Sequence, residues 1–182
     1  CDFPEEAEKK PRIGGWLDIN DELVKSYNPD LILTSTFVQN KITSRYKKSK
    51  MNIAALMPTT LKGVFDSIAE IGRLADKEKE AAKLVNSMKN RLSEIEYKIQ
   101  NHIKNKKIKN KPRVYIEEWH KPPTVSGNWV PTLVKMAGGD YGLIKAGVHS
   151  KEVSTNQIQK YDPEIIIISI CGMADKAPKE WV

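Results

Sequence analysis

The chain has 182 residues, of which 40% are hydrophobic and 29% charged, as is usual for one large or two small globular domains. No run of apolar residues reaches the roughly 18 that a membrane-spanning helix needs. The formal net charge is +7, and an excess of basic residues is typical of proteins that bind nucleic acids or anionic surfaces. However, the two basic clusters, 45–50 and 104–113, contain a single aromatic residue, Tyr46, and no nucleic-acid-binding motif accompanies them. We therefore interpret both clusters as solvated surface, with phosphate binding as the alternative, and expect no nucleic-acid partner.

Near the start of the chain, Gly14 and Gly15 precede Trp16 in a segment that predicts a loop. A helix is expected to open just after it, near Asn20 or Asp21. A large aromatic residue in such a place is more often a partly exposed platform than a core residue, although a core position stays open as the alternative.

The most informative feature is an internal repeat with a constant offset of 134 residues. Residues 22–35 align without a gap on residues 156–169, so that Tyr27 corresponds to Tyr161 and Pro29 to Pro163. Each copy predicts a short helix, a turn ended by proline, and a β-branched strand of the kind that a parallel sheet buries on both faces. By this interpretation Ile165–Ile168 is a buried strand. The repeat predicts two α/β lobes of related design.

Between the two copies, apolar residues recur at helical spacing. They predict a short helix over 61–74 and a long helix over 77–104, with Asp76 as the N-cap. About 28 residues of helix reach about 42 Å, a length that suits a connection between lobes. The chain therefore divides into an N-terminal lobe (1–60), the helical segment (61–108) and a C-terminal lobe (109–182).

The second lobe is predicted to open with a strand over 113–119, followed by a helix over 129–136 that ends at Gly138 and Gly139. Glu117, Glu118 and His120 surround Trp119 at the end of that strand, where α/β folds place functional groups. A metal or acid–base site there is a minor alternative. The three histidines have no spacing that a metal or a catalytic triad demands, and no phosphate loop or nucleophile elbow is present. We expect neither catalysis nor a cofactor.

These residues resemble a known family. Segment 1–7, Trp16 and Glu22 are similar to the first lobe of cobalamin-type and iron–siderophore binding proteins, the extracytoplasmic capture subunits of ABC importers (class III, with a helical backbone). Residues 27–33 and 161–164 resemble the strand motifs of the two lobes. Segment 113–128 is similar to the strand and cleft loop that open the second lobe.

The resemblance implies a specific fold and function. The fold is α/β, with two Rossmann-like lobes joined by one long rigid helix, and the ligand, a cobalamin or other corrinoid, lies in the cleft between them. The implied partners are a membrane permease and its ATPase, and the implied location is extracytoplasmic. A monomer is expected, peripheral to the membrane or lipid-anchored at Cys1. The residues expected to line the cleft are Trp16, Phe37, Trp119, Thr124, Ser126, Gly127 and Trp129.

Three departures from the family pattern keep alternatives open. The chain is expected to lack the first strand and helix and the last strands and helices, so it is apparently truncated at both ends. Glu22 matches the first-lobe acid that docks on the permease, but its repeat partner is Asn156, and Glu152 is the nearest substitute. Cleft aromatics of cobalamin binders are replaced by Ser35 and Thr124. The alternatives are a ferric-siderophore, haem or metal-ion binder, with His120 or His149 as a ligand, and a non-transporting interaction module.

Overall fold

The computed structural model describes residues 4–105 and 110–170, so Cys1 and Cys171 lie outside the described residues and the lipid anchor stays a prediction. The chain divides into two compact units, Cys1–Met57 and Pro58–Val182. The helices are α1 (Glu5–Glu8), α2 (Asp21–Ser26), α3 (Asn40–Lys48), α4 (Leu61–Leu74), α5 (Glu78–Lys104), α6 (Val130–Met136) and α7 (Thr155–Tyr161). The strands are β1 (Ile32–Thr34), β2 (Ile53–Ala55), β3 (Val114–Trp119), β4 (Thr124–Val125), β5 (Lys151–Glu152) and β6 (Ile165–Ile168), and a 3₁₀ turn spans Phe37–Gln39.

The first unit is a small α/β body in which α3 connects two parallel strands. β1 pairs with β2 from Ile32 opposite Ile53 to Thr34 opposite Ala55. Val24 of α2 and Ile42 and Tyr46 of α3 form its buried core. The Tyr46 hydroxyl donates to the Asp21 carboxylate at 2.7 Å, and this bond ties α3 to the first turn of α2.

The second unit begins with the predicted pair of helices. The structure places them at Leu61–Leu74 and Glu78–Lys104, and the 27 residues of α5 span about 40 Å. The predicted N-cap was wrong by one residue: Asp76 has a left-handed backbone with φ of 53°, and Lys77 is the N-cap. Gly72 allows the two helices to meet, since a Cβ there would collide with the Cβ of Ala81.

The rest of the second unit is a mixed sheet with strand order β5-β4-β3-β6. β3 pairs in parallel with β6 and antiparallel with β4, and β4 pairs antiparallel with β5. α6 matches the predicted helix to within one residue and ends at Met136, and Gly138, with φ of 86°, follows its C-cap as a glycine after a helix does. The core consists of Val114, Tyr115, Val125, Val134, Tyr141, Ile144 and Val153.

The internal repeat is visible in backbone conformation as well as in sequence. α2 and β1 in the first unit correspond to α7 and β6 in the second, and both strands are paired in parallel. Asn28 and Asp162, 134 residues apart, both adopt left-handed geometry, with φ of 44° and 50°. Asparagine and aspartate tolerate this conformation better than other non-glycine residues. The α/β fold class is thus confirmed.

The expected burial of Ile165–Ile168 was wrong. Ile165, Ile166 and Ile167 are 41%, 51% and 45% exposed. The reason lies in sheet position: β6 is at the end of the strand order, so only β3 flanks it among the described residues. A run of isoleucines predicts a strand, but burial needs neighbours on the strand's free side and on both faces of the sheet.

Candidate ligand-binding surfaces

The Trp16 loop of the first unit presents two apolar side chains at its tip. The backbone N–H of Gly15 donates to the carbonyl of Asp18 at 3.1 Å, and Gly14 pairs with Ile19 in an antiparallel bridge. Gly14 has φ of 132°, a conformation that L side chains rarely adopt. The tight turn leaves Trp16 58% exposed beside the exposed Leu17. The prediction that Trp16 lies in an exposed loop is therefore confirmed.

Gln39 fixes this loop relative to the end of β1. Its Nε2 donates to the carbonyl of Trp16 at 3.2 Å, and its Oε1 accepts the backbone N–H of Ser35 at 3.1 Å. The same 3₁₀ turn carries Phe37, which is 45% exposed. Sequence analysis missed Gln39, because a bridge over 23 residues leaves no local signal.

Trp16 also borders an apolar groove within the first unit. The groove has a volume of about 790 Å³. Ile13, Tyr27 and Leu33 contribute to its walls, and Tyr27 and Leu33 are about half exposed. None of these three was among the expected binding residues.

In the second unit, Trp119 stands at the carboxyl end of β3, where the pairing with β4 is irregular. The register shifts between Glu117 and Trp119, so Glu118 is an extra residue opposite β4. A bulge of this kind reorients side chains at a strand end. Trp119 is 51% exposed, and its indole N–H donates to the carbonyl of Lys121 at 3.2 Å. Thr124, its partner on β4, is half-buried, and its hydroxyl donates to the carbonyl of Pro122 at 3.0 Å.

Glu118 organises the loop that the sequence singled out at 124–129. Its Oε2 accepts the hydroxyls of Ser126 at 2.9 Å and Ser150 at 2.6 Å, and the Ser150 hydroxyl accepts the backbone N–H of Gly127 at 3.0 Å. Ser126 and Gly127 are buried, so they shape the loop from inside. Trp129, the half-buried N-cap of α6, follows directly.

A second network lies on the other side of the same strand end. The buried carboxylate of Glu117 accepts the Tyr115 hydroxyl at 2.8 Å, and Nδ1 of His120 lies 2.7 Å from its other oxygen. Burial, followed by the hydrogen bond to Glu117, raises the pKa of Tyr115 well above its usual value. When His120 donates from Nδ1, the lone pair is on Nε2, which is the form that ligates metals. Among the described residues, however, no group of three or more His, Cys, Asp or Glu side chains could hold a bare metal ion.

The remaining expected residues are on the surface. Glu22 lies in the first turn of α2, exposed, and accepts Nζ of Lys25 at 3.1 Å. Asn156 and Glu152 are exposed on α7 and β5. His149 contacts the side chain of Asn128 through Nδ1 at 3.1 Å. The structure thus places the expected binding residues in two local groups, Trp16 with Phe37 and Trp119 with 124–129.

The fold is of the α/β type, and comparison with known proteins gives its family. The Periplasmic binding protein family model matches residues 1–181. The chain belongs to this family, a family of binding proteins, which confirms the resemblance drawn from the sequence. Among the described residues, no helix combines the length and apolar character needed to cross a membrane.

Individual relatives are distant. The chain is 24% identical over 180 residues to the high-affinity heme uptake system protein IsdE of Staphylococcus aureus, covering 97% of this chain and 60% of the relative. The structure of S. aureus IsdE complexed with heme matches with a TM-score of 0.79 over 98% of this chain and 68% of that one. The periplasmic vitamin B12 binding protein BtuF of Vibrio cholerae matches with a TM-score of 0.72 at 18% identity, over 96% and 67%. The chain thus spans about 60% of the length of the curated relatives that it matches.

Proposed function

We propose that the chain belongs to the extracytoplasmic substrate-binding component of an ABC importer and captures a large metal-centred tetrapyrrole without catalysing a reaction. The observation that carries this proposal is the exposure of large aromatic rings on short, hydrogen-bonded loops, above all Trp16 and Trp119. Membership of a family of periplasmic binding proteins supports the same function.

Exposed rings of this kind suit a flat, partly apolar ligand. Trp16 is more than half exposed, although its backbone is held at the Gly15 turn and by Gln39. A platform that is already held in place loses little conformational entropy on binding. Covering it removes apolar area from water, at about 25 cal/mol per Å². Phe37 and Trp129 would add further apolar contact, and Thr124 a hydroxyl, while Ser126 and Gly127 hold the loop from within.

The first candidate ligand is a cobalamin or related corrinoid. The sequence motifs of the two repeat copies support it, and so does the likeness in fold to a vitamin B12 binding protein. A corrinoid carries its own axial ligands to cobalt, so this candidate needs no metal-ligating side chain from the protein.

The second candidate is haem, and one observation favours it specifically. The Glu117 carboxylate orients the imidazole of His120 through Nδ1, and a carboxylate-oriented histidine is a common type of metal ligand. The curated relative is named for heme uptake, which supports the same ligand. Haem bound through His120 would show a shift in its absorption spectrum that is lost in His120→Ala, while binding of cyanocobalamin would be unaffected.

Delivery to a permease and its ATPase completes the proposed function. Glu22 is exposed at the start of α2, as a docking acid must be, and Glu152 is the exposed acid in the second unit nearest to Asn156. The component would act as a monomer at the outer face of the membrane.

The variant Trp16→Ala tests the capture function. We expect a loss of roughly 1–3 kcal/mol in ligand binding, or about 5- to 150-fold in Kd. Because Trp16 is mostly exposed, the free energy of unfolding should change by less than about 0.5 kcal/mol. The matched control is Tyr97→Ala, which removes an exposed aromatic from α5 outside both surface groups. Calorimetry with haem and cyanocobalamin measures these affinities. If the parent chain, Trp16→Ala and Tyr97→Ala bound with equal affinity, Trp16 would not be part of the binding surface.

A further inference from the structure

The charges of the first unit are segregated along the chain. Between Asp30 and Asp66 the sequence contains no carboxylate side chain, yet this stretch includes the whole of α3 and the turn that follows it. The cations in and just after α3 are Lys41, Arg45, Lys47, Lys48 and Lys50. The acidic residues of the unit all precede them, so one part of its surface is basic without local compensation.

Packing of α3 sends these cations outward together. Ile42, Thr43 and Tyr46 are buried, and the Thr43 hydroxyl lies 2.9 Å from that of Thr34 on β1. Helical geometry places the remaining positions on the opposite face. That face forms a shallow depression, here called the α3 basic face, which is lined by Asn40, Lys41, Ser44, Arg45, Lys48 and Ser49. It combines positive charge with hydroxyl and amide groups, the donors that bind phosphodiester oxygens.

Most of this charge is not neutralised within the part of the chain that the structure describes. Arg45 is the exception, since it pairs with Asp21 at 2.8 Å. No carboxylate among the described residues lies within 4 Å of Lys41, Lys47, Lys48 or Lys50. On α5, Lys79 and Lys83 form no ion pair with the described residues either, but acidic residues lie close to them in sequence, since Glu78 and Glu80 flank Lys79.

We propose that the α3 basic face docks on an anionic phospholipid bilayer. Charge complementarity supports a lipid surface, because Lys41 and Lys48 on this face, with the exposed Lys47 and Lys50 close by in sequence, add their attraction to a sheet of negative headgroups. The face carries no exposed aromatic or aliphatic side chain among its lining residues, so binding would be peripheral and driven by electrostatics. The inference does not depend on which ligand the protein captures.

The test is co-sedimentation of the chain with vesicles. Phosphatidylcholine vesicles containing phosphatidylglycerol should bind the protein, whereas pure phosphatidylcholine vesicles should not. Binding should weaken steeply with salt, because the screening length falls from about 10 Å at 0.1 M to about 3 Å at 1 M. Binding that is equal for both vesicle types, or that salt leaves unchanged, would overturn the proposal without requiring any variant.

Two double variants with the same net charge locate the surface. Lys41→Gln with Lys48→Gln should lower partitioning roughly 30-fold, since each lysine near an anionic surface strengthens it about fivefold. The control, Lys79→Gln with Lys83→Gln on α5, should change it by about twofold or less. Equal losses in the two variants would show a response to net charge alone and overturn the assignment to α3. If millimolar inorganic phosphate displaced the protein from vesicles at constant ionic strength, the face would be a small-anion site and the bilayer proposal would be wrong.

Discussion

Gly127 is the position in the second unit where a single methyl group should do most damage. A Cβ on Gly127 would overlap the carbonyl oxygen of Val148 and lie 2.6 Å from the backbone nitrogen of Ser150. Both are backbone atoms, so relief requires the chain itself to move. That movement would disturb two short hydrogen bonds, from Gly127 N–H to the Ser150 hydroxyl at 3.0 Å and from Asn128 N–H to the Val148 carbonyl at 2.6 Å.

The expected cost of Gly127→Ala follows from these contacts. Overpacking costs typically 1–3 kcal/mol, and each disturbed hydrogen bond adds about 1 kcal/mol. We therefore expect a loss of about 3–5 kcal/mol in the free energy of unfolding, a large fraction of the stability of an ordinary domain. Because Trp129 follows in the same loop, its fluorescence in the folded protein should change as well.

Urea unfolding followed by circular dichroism measures this loss, with Gly63→Ala as the matched control. A Cβ on Gly63 would lie 3.3 Å from Oγ1 of Thr60, a contact that a small shift relieves, and Gly63 lies within α4. Alanine is better than glycine in a helix by about 1 kcal/mol, so the control should be neutral or slightly stabilised. A Gly127→Ala protein as stable as the parent would refute the close approach of 127 to 148–150.

Two further predictions concern stability. Burial raises the pKa of Tyr115 and Tyr141, whereas unfolded tyrosine ionises near 10, so the free energy of unfolding should fall as pH rises above about 10. Tyr115→Phe should make that decline shallower by about 1.4 kcal/mol per pH unit in urea titrations; a slope equal to that of the parent chain would contradict the assignment. Arg113 donates from Nε to the Asp162 carbonyl at 2.6 Å and from a terminal nitrogen to the Asp162 carboxylate at 2.9 Å. Lysine cannot form both bonds, so Arg113→Lys should lose about 1–2 kcal/mol, while Arg91→Lys on α5 should lose less than about 0.5; a neutral Arg113→Lys would mean that the pair contributes nothing.

Features with a local signal were predictable from the sequence. The bounds of α4 and α5 could be predicted because their apolar residues recur at helical spacing. That pattern depends only on neighbours within one helical turn. The two copies of the helix–turn–strand unit follow from a gapless repeat. The left-handed backbone that Asn28 and Asp162 share was not predicted, although asparagine and aspartate in a turn tolerate it. The exposure of Trp16 follows from the two glycines that precede it, because they predict a loop.

Features that depend on distant neighbours were not predictable. The exposure of Ile166 reflects the place of β6 at the end of the sheet that the described residues form, and the sequence of the strand itself carries no signal for that place. Gln39 acts on Trp16 across 23 residues, and Glu118 joins Ser126 to Ser150 from a neighbouring strand. That Trp16, Phe37, Trp119 and residues 124–129 bind a ligand stays a prediction.

The central claim is capture of a tetrapyrrole, and a tryptophan-quenching titration of the folded chain tests it most directly. Haem and cyanocobalamin, with ferric siderophores in parallel, would be added with correction for their absorbance. We predict saturable quenching at one ligand per chain by haem or cyanocobalamin, with Kd in the micromolar range or tighter. Saturation by a siderophore alone would contradict the tetrapyrrole while keeping the capture function. Failure of every ligand to bind more tightly than about 100 μM, or −5.5 kcal/mol, would contradict the capture function itself.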